Sequence, residues 1–295
     1  MSSKLKIGFV PEHFSTPLAF AQKHYNLNAE LIPFPTGTGA LASALKSNDA
    51  SESIDVAIGL TEGFVADLGK THAGGQQSSY GIVGTYVNSP LRWAISTGIA
   101  RKDLRVEKLN GSRVGVSRIG SGSYVMSYVL ADQHGWLKDN SKPFEVVPIG
   151  DFAALRHAVN EGNKADFFMW EHFTTKHFWD NGELLRIGEI YTPWPSWMIT
   201  ARRSVPAEKI KDMTDRINQG MKHYADNTEE AVQYITSAMH YSVEDAKEWM
   251  KTVSFPGNVH GVKAEVIDDT IRVLRKAGVL DEQAGDSSRM IVVRK

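Results

Sequence analysis

The sequence predicts an α/β protein made of two similar units, each built around a mostly parallel sheet. Short apolar runs alternate with amphipathic segments over residues 5–73 and again over 113–180, a pattern typical of parallel strands joined by right-handed crossovers. Two consecutive strands, 80–87 and 91–99, interrupt this alternation without a helix between them. Beyond residue 206 the chain is mostly helical. We therefore expect two lobes followed by a helical C-terminal tail.

The first unit is predicted from three apolar runs that each stop at a turn-forming residue. Ser15 or Thr16 can cap the first helix, and Pro17 suits its first turn, where no backbone N–H is needed. We expect strands over 5–10, 28–34 and 54–59, and helices that begin near residues 16, 38 and 61.

The second unit repeats this order after the two-strand interruption. Strands are expected over 113–117, 144–149, 166–170 and 197–203, and helices over 121–135, 151–161 and 171–180. The tail predicts helices over 206–226, 228–239, 242–252 and 263–277. The alternation would also fit one large doubly wound sheet, but the interruption favours two lobes. We expect lobe I to comprise 1–95 and 200–295, and lobe II to comprise 96–199.

The composition disfavours several classes of protein. Lys and Arg (33) nearly balance Asp and Glu (34), whereas a nucleic-acid binder usually has a basic excess. Without cysteine the chain cannot form disulfides or thiolate metal sites. The chain enters a strand without the apolar stretch of an export signal, and no segment reaches the ~20 apolar residues of a membrane span. The sequence therefore predicts a cytoplasmic protein that neither inserts into membranes nor binds nucleic acid.

The stretch "GTGALA", residues 37–42, matches a loose form of the dinucleotide-binding fingerprint. It follows the second strand rather than the first, and Asp55 begins the next strand instead of closing it. We therefore expect no dinucleotide and no other cofactor. The turn still exposes N–H groups at a helix N-terminus, which favours an anion or a polar ligand atom.

The stretch "GVSRIGSGSYVM", residues 115–126, reads as a strand, a Gly/Ser elbow and the start of a helix. A hydrolase nucleophile elbow needs glycine two residues to each side of the serine. Two residues after Ser117 stands Ile119, and the residues two positions to each side of Ser121 are Ile119 and Ser123, so neither serine fits. No lysine follows the glycines, so a phosphate-binding Walker loop is also disfavoured. We predict no catalytic residue here.

Four of the seven tryptophans, Trp170, Trp179, Trp194 and Trp197, lie within 28 residues, and two of the ten histidines lie in the same stretch. His172 and His177 are five residues apart, whereas a helical metal site needs a spacing of four, so we expect no metal. Trp194 and Trp197 lie in "TPWPSWM", which proline stiffens and which reads as too polar and too short for core. Together with Trp170 they are candidates to stack on a flat or cationic ligand, with core packing as the alternative.

Polar segments follow the carboxyl ends of five predicted strands, the place where open α/β sheets bind ligands. Helix N-termini near residues 38, 61 and 121 would point at the same place. Because no nucleophile or acid–base pair stands out, we expect a binding pocket rather than an active site. The expected ligand-binding residues are Glu12, His13, Thr36, Gly37, Thr38, Gly39, Leu60, Thr61, Glu62, Ser117, Arg118, Ser121, Gly122, Ser123, Tyr124, Trp170, Glu171, His172, Trp194 and Trp197.

Three stretches carry a family resemblance. "LKIGFVPEHFSTPLAFAQKH", "TGTGALASALKSNDASESIDVAIGLTEGF" and "GSRVGVSRIGSGSYVMSYVLADQHGWL" resemble type II periplasmic binding proteins, in particular the nitrate/sulfonate/thiamine-precursor branch, also called NMT1/THI5-like. "ADFFMWEHFTTKHFWDNGELLRIGEIYTPWPSWMI" is similar to a group of uncharacterised fungal proteins with that fold. The resemblance covers about residues 4–205 and is weak in the helical tail.

This resemblance implies two α/β lobes joined by hinge strands, near 91–98 and 197–203, that close on a small solute. The family builds its pocket from the loop after strand one, the glycine turn, the loop after strand three and the start of the first helix of the second lobe. Bacterial members carry an export signal and feed a transporter, and this chain shows no such signal. The pyrimidine synthases of the family use a cysteine-rich motif, so we expect no synthase activity.

The leading hypothesis is a cytoplasmic small-solute-binding protein whose lobes close on an anionic or heteroaromatic ligand. Arg118 would face a negative group, whereas the three expected glutamates suit an amine- or amide-bearing heterocycle better. One alternative is an enzyme acting on a pyrimidine- or thiamine-like compound, with His13, Glu62 or His172 as acid or base. The other is a ligand sensor that a protein partner reads.

Overall fold

The computed structural model describes residues 4–137, 142–239 and 241–295, so residues 1–3 of the predicted first lobe lie outside the described residues. Contacts within the chain divide it into two compact units. Unit 1 comprises Met1–Ser89, Trp194–Arg272 and Leu280–Lys295, and unit 2 comprises Pro90–Pro193 and Val273–Val279. The lobe boundaries expected at 95/96 and 199/200 stay a prediction.

Except for β9 and α11, which the sequence pattern did not indicate, strands and helices follow one another in the expected order. The strands are β1 (Leu5–Phe9), β2 (Ala29–Pro33), β3 (Val56–Leu60), β4 (Tyr80–Val87), β5 (Arg92–Gly98), β6 (Arg113–Val116), β7 (Glu145–Pro148), β8 (Phe167–Glu171), β9 (Leu184–Tyr191) and β10 (Trp197–Arg202). The helices are α1 (Thr16–Tyr25), α2 (Thr38–Lys46), α3 (Thr61–Ala73), α4 (Gly122–Gln133), α5 (Phe152–Val159), α6 (His172–Asp180), α7 (Ala207–Asp226), α8 (Thr228–Ala238), α9 (Val243–Thr252), α10 (Ala264–Lys276) and α11 (Ser287–Met290).

Unit 1 contains a five-stranded sheet in the order β2-β1-β3-β10-β4. Strands β1, β2 and β3 are parallel, whereas β10 runs antiparallel to both β3 and β4. Strands β3 and β10, in the interior of the sheet, are almost entirely buried, as expected for strands covered on both faces. The carboxyl ends of three strands and the start of β10 therefore lie at one edge of this sheet.

Unit 2 contains a sheet of the same design, in the order β7-β6-β8-β5-β9. Strand β6 is parallel to β7 and β8, and β5 runs antiparallel to β8 and β9. Strand by strand, the two sheets correspond, with β3 and β8 in the same position. Two separate sheets exclude the single doubly wound sheet, and the α/β class with a helical tail is confirmed.

The chain crosses from unit 1 to unit 2 after β4 and returns after β9. The two strands expected as hinges, β5 and β10, are the first strands after these crossings. Strand β10 belongs to the sheet of unit 1, although the sequence presented it as a strand running out of the second unit. Strand β9 was missed because it lies at the edge of its sheet and because Arg186, Gly188 and Glu189 interrupt its apolar residues, so it forms no continuous apolar run.

The helical tail packs on unit 1 chiefly through α7, which lies against α1. A Cβ at Gly220 would be 2.2 Å from the carbonyl oxygen of Pro17 and 2.7 Å from the backbone nitrogen of Ala21. Only glycine lets the two backbones approach this closely. Among the described residues, no helix is long and apolar enough to cross a membrane.

Candidate functional site

The expected residues of unit 1 meet at one edge of its sheet. Phe9, the last residue of β1, pairs with Pro33 at the end of β2, and Leu60 at the end of β3 pairs with Trp197 at the start of β10. The loops that follow or precede these residues therefore gather there. They are the segments 12–14, 36–39, 60–62 and 194–197, which we call the unit 1 edge.

A hydrogen bond between Thr38 and the end of β3 holds the glycine turn in place. Gly37 has a φ of +84°, which glycine adopts at no steric cost, and it leads into α2. The Thr38 hydroxyl oxygen accepts a hydrogen bond from the backbone N–H of Leu60 at 2.9 Å. Thr38 also lies against Gly63, where a Cβ would be 2.7 Å from its methyl carbon. This leaves the N–H groups of Thr38 and Gly39 in the first helical turn, without an intrahelical acceptor, while Thr36 is exposed.

The segment 194–196, which precedes β10, is hydrogen-bonded to the start of α3. The backbone N–H of Thr61 donates to the carbonyl oxygen of Ser196 at 3.0 Å, and its hydroxyl donates to the carbonyl oxygen of Pro195. The indole N–H of Trp194 donates to Oε2 of Glu62 at 3.1 Å. These bonds fix the position of the Glu62 carboxyl group at the unit 1 edge.

Glu62 is the chemically most distinctive group at this edge. Its side chain is 1% exposed, and no described residue hydrogen-bonds to its Oε1. Burial raises the pKa of Glu62 to about 7, although the Trp194 hydrogen bond acts in the opposite direction. A buried carboxyl oxygen without a partner is costly, so it marks a place where a ligand or water supplies the missing hydrogen bond. Near neutral pH this carboxyl can either accept or donate that bond.

His13 lies in an aromatic cluster rather than in a polar loop. Its ring packs edge-on against Trp249 (centroid distance 4.3 Å) and Tyr241 (4.7 Å), and tilted against Phe14 (4.6 Å). Burial lowers the pKa of His13 to about 3, so the imidazole is neutral near neutral pH. The neighbouring Glu12 is half-buried and starts the short 3-10 turn that contains His13.

The expectation that "TPWPSWM" is too polar and short for core is wrong. Trp194 and Trp197 are both buried. Trp197 opens a strand in the interior of the sheet and packs on Phe14 with ring centroids 5.2 Å apart. The prolines restrict the backbone where the chain returns to unit 1, and the rings of Trp194 and Trp197 pack in the core. A cavity of about 10 Å³ beside Trp197 has room for roughly one water molecule.

The Gly/Ser elbow of unit 2 is a tightly bonded turn. Ser121 caps α4 by accepting from the N–H of Tyr124 at 3.3 Å, and its hydroxyl lies 3.0 Å from that of Ser123. The Ser123 hydroxyl accepts from the N–H of Ser117 at 3.2 Å. Gly120, with a φ of +77°, makes the turn, whereas Gly122 is the first residue of α4 and has ordinary helical geometry.

Two side chains of this elbow differ in their surroundings. Arg118 is exposed, and within the described part of the chain no hydrogen bond or ion pair engages its guanidinium. Tyr124 is buried, and its hydroxyl donates to the carbonyl oxygen of Ala277 at 3.4 Å. Arg118 and the polar groups of the turn could therefore bind an anion.

The end of β8 carries three expected residues that fold inward. Trp170 stacks on Phe152 at 5.1 Å and joins an apolar cluster, so core packing accounts for its position. Oε2 of Glu171 accepts from the N–H of Thr174 at 2.6 Å as the N-cap of α6, and burial raises its pKa to about 7. Burial lowers the pKa of His172 to about 4. Glu171 is the last residue of β8, and Glu62 comes two residues after the end of β3, so each unit holds a buried carboxyl near the corresponding strand end.

Sequence reasoning missed one buried polar group near these residues. Trp93 on β5 pairs with Glu171 across the sheet, and no described residue accepts from its indole N–H. The signal available in the sequence was the position of Trp93 near the start of β5, shortly after the chain crosses from unit 1 to unit 2 at Pro90. A separate groove of about 860 Å³ lies in unit 1 and contains no expected residue; it is lined mainly by α7, α9 and the segment 253–257.

Comparison with solved structures identifies the fold. The Candida albicans CA3427 gene product, described as defining a family with the generic periplasmic binding protein fold, is 41% identical over 95% of this chain and 93% of its own, with a TM-score of 0.83. The aliphatic sulphonate binding protein SsuA of Escherichia coli is 15% identical over 100% of this chain and 94% of its own, with a TM-score of 0.73. The nitrate-binding protein NrtA of Synechocystis PCC 6803 is 16% identical over 95% of this chain and 83% of its own, with a TM-score of 0.70.

A family comparison agrees with these structures. The family described as Ca3427-like PBP matches residues 93–190, and no curated protein matches significantly. The predicted periplasmic-binding-protein fold is therefore confirmed, while the narrower NMT1/THI5-like assignment stays a prediction. With 41% identity over nearly its whole length, the chain belongs to the CA3427 family of proteins with the periplasmic binding protein fold.

Proposed function

We propose that this protein binds a small solute and that Glu62 is its principal polar contact in unit 1. The observation that carries the proposal is the buried Glu62 carboxyl, held by Trp194 with its second oxygen unbonded. The fold supports the same function, because relatives with this fold are described as sulphonate-binding and nitrate-binding proteins. The interlobe closure implied by the resemblance stays a prediction.

A heteroaromatic solute that bears N–H groups suits Glu62 better than an anion does. Such a ligand would donate to the free Oε1, whereas an anion would be repelled once Glu62 ionises. The anionic alternative is supported by the exposed Arg118 and the polar elbow of unit 2. The two alternatives differ in the residue on which binding depends, Glu62 or Arg118.

A calorimetric and thermal-shift screen against pyrimidines, amino acids, sulfonates and phosphates tests this proposal. A solute present at about 100 times its dissociation constant should stabilise the protein by about 2.7 kcal/mol. With a heteroaromatic ligand, Glu62→Gln should weaken binding by about 10- to 100-fold, since a hydrogen bond to a charged group contributes about 1.5–3 kcal/mol.

The matched control is Glu265→Gln. Glu265 is also the second residue of a 13-residue helix, but it is exposed. This variant should bind as the wild type does. Stabilisation by none of these solute classes, or equal loss of binding in both variants, would contradict the proposal. Loss of binding in Arg118→Ala with Glu62→Gln unaffected would favour the anionic ligand.

A second candidate function is catalysis on a pyrimidine-like compound. It is favoured by one observation, the pKa of Glu62 near 7, because a general acid or base works best when its pKa is close to the working pH. Turnover that Glu62→Gln abolishes would establish it. The sensor alternative and the cytoplasmic location also stay proposals; ligand-dependent pulldown and imaging of a fluorescent fusion test them.

A further inference from the structure

Three titratable side chains meet in unit 1 at a place that the proposed solute site does not use. His24 lies in the last turn of α1, His223 in the last turn of α7, and Glu230 in the first turn of α8. His13 precedes the start of α1 and His24 lies near its end, so the two are at opposite ends of this helix. The close approach of α1 and α7 at Gly220 brings the two histidines together although about 200 residues separate them.

The geometry of this group is that of a set of ligands. Nε2 of His24 lies 2.8 Å from Oε1 of Glu230, and Nε2 of His223 lies 2.8 Å from Oε2. The two imidazole rings are stacked, with centroids 4.2 Å apart and an angle of 15° between them. One ligand atom from each residue can be chosen so that all three lie within 4.8 Å of one another. Among the described residues, this is the one group of three with that property.

Neighbouring side chains hold both rings in this orientation. The hydroxyl of Tyr25 lies 3.0 Å from Nδ1 of His223. When Nε2 binds a metal, Nδ1 carries the proton and can donate to this oxygen, which is the usual arrangement around a metal-bound histidine. Phe20 packs edge-on against His24 (5.7 Å) and His223 (5.1 Å), which restricts their rotation.

The charges around the group suit a cation. Three basic side chains, Lys23, His24 and His223, converge on the Glu230 carboxylate. Both histidines lie in the last turn of their helices, where the helix dipole favours positive charge. Lys23 pairs with Oε1 of Glu230 at 2.8 Å, but its side chain is 63% exposed, and exposed ion pairs contribute little. A metal ion can therefore displace it.

We propose that His24, His223 and Glu230 bind one Zn²⁺ ion through their two Nε2 atoms and a carboxylate oxygen. Water completes a tetrahedral coordination. Two imidazoles and one carboxylate are ligands that zinc accepts, whereas Mg²⁺ and Ca²⁺ prefer oxygen alone. The ion would join the ends of α1 and α7 to the start of α8. This site is independent of the proposed solute site.

Calorimetric titration of the untagged, chelator-treated full chain with ZnCl₂ tests the proposal. The wild type should bind one Zn²⁺, and a large excess of Mg²⁺ should not compete. Glu230→Gln and His223→Ala should each lower the affinity at least about 30-fold. Tyr25→Phe should lower it about 10-fold, because it removes only the partner of Nδ1. Cobalt added instead of zinc should give the visible absorption of tetrahedral Co²⁺.

The control is His157→Ala. His157 forms an exposed pair with Glu161 at 3.4 Å, and this pair offers two ligands where the proposed site offers three. The variant should bind Zn²⁺ as the wild type does. Circular dichroism without metal shows whether each variant is folded, and a variant that unfolds is replaced by His24→Gln. Absence of saturable one-to-one binding, or equal affinity in Glu230→Gln and His157→Ala, would overturn the proposal.

Discussion

Replacing Glu62 with glutamine should change how the stability of the protein depends on pH. Glutamine keeps the size of the side chain and an oxygen that accepts from Trp194, but it cannot ionise. In the wild type, the pKa of Glu62 is about 7 in the folded state against 4.5 in the reference state. Because the folded carboxyl holds its proton more tightly, it contributes stability that is complete below pH 4.5 and is lost as pH rises to about 7.

The magnitude follows from this difference. One pKa unit corresponds to about 1.4 kcal/mol, so ionising Glu62 costs the folded state roughly 3 kcal/mol in total. Between about pH 5 and about pH 8, the unfolding free energy of Glu62→Gln minus that of the wild type should rise by about 2–3 kcal/mol. The pKa values of His13 and His172 are lowered, so these groups add stability as pH rises toward 6.5 and would mask the effect in the wild type alone.

The assay is urea denaturation followed by tryptophan fluorescence, at several pH values, for the wild type, Glu62→Gln and Glu265→Gln. Subtracting wild-type values removes the contribution of the histidines, which the variants share. The control substitution removes a carboxyl that is exposed, so it relieves no burial. A difference for Glu62→Gln that does not exceed that for Glu265→Gln at any pH would refute the reasoning that burial governs the Glu62 carboxyl.

Three further substitutions test how the edge and the tail are held. Gly220→Ala should destabilise the protein by about 1–3 kcal/mol through overpacking, while Gly257→Ala, with open space around its Cα, should be nearly neutral in the same denaturation experiment. Thr38→Val leaves the N–H of Leu60 without its acceptor and should cost about 1–3 kcal/mol; an unchanged melting temperature would contradict this role. Ser121→Ala removes an N-cap and should cost about 1 kcal/mol, which Ser121→Asp should largely restore.

The two buried glutamates, Glu62 and Glu171, occupy corresponding places in the two units but differ in their hydrogen bonds. Both lie at or just after the carboxyl end of the third strand of their sheet, and burial raises the pKa of each to about 7. Glu171 caps its own helix through the N–H of Thr174, so a structural role accounts for it. Glu62 is held by Trp194, and its other oxygen has no partner among the described residues. For this reason the proposed function depends on Glu62.

The placement of residues at strand ends could be predicted because it depends on local pattern. Apolar runs that stop at a proline or glycine locate the ends of β1, β2 and β3, and parallel strands put those ends at one edge. The N-cap of α4 is also a local feature, because Ser121 accepts from the N–H of Tyr124, three residues further along the chain. The predicted ligand-binding residues as a set stay a prediction.

The burial of Trp194 and Trp197 could not be predicted in this way. Their segment is polar and rich in proline, and it becomes interior only because β10 inserts between β3 and β4, whose residues lie more than 100 positions earlier. Strand β9 was missed for a related reason, since an edge strand needs no continuous apolar run. In both cases the neighbours across the sheet decide the environment of a side chain.

By itself, the sequence determined the α/β class, the order of most strands and helices, and the strand ends at which polar residues collect, because spacing and turn chemistry act over a few residues. The tertiary structure decided which groups are buried and which distant residues meet. The pKa of Glu62 depends on the desolvation that folding imposes on it. His24, His223 and Glu230 become neighbours only because α1, α7 and α8 pack together, and no local pattern in the chain encodes that contact.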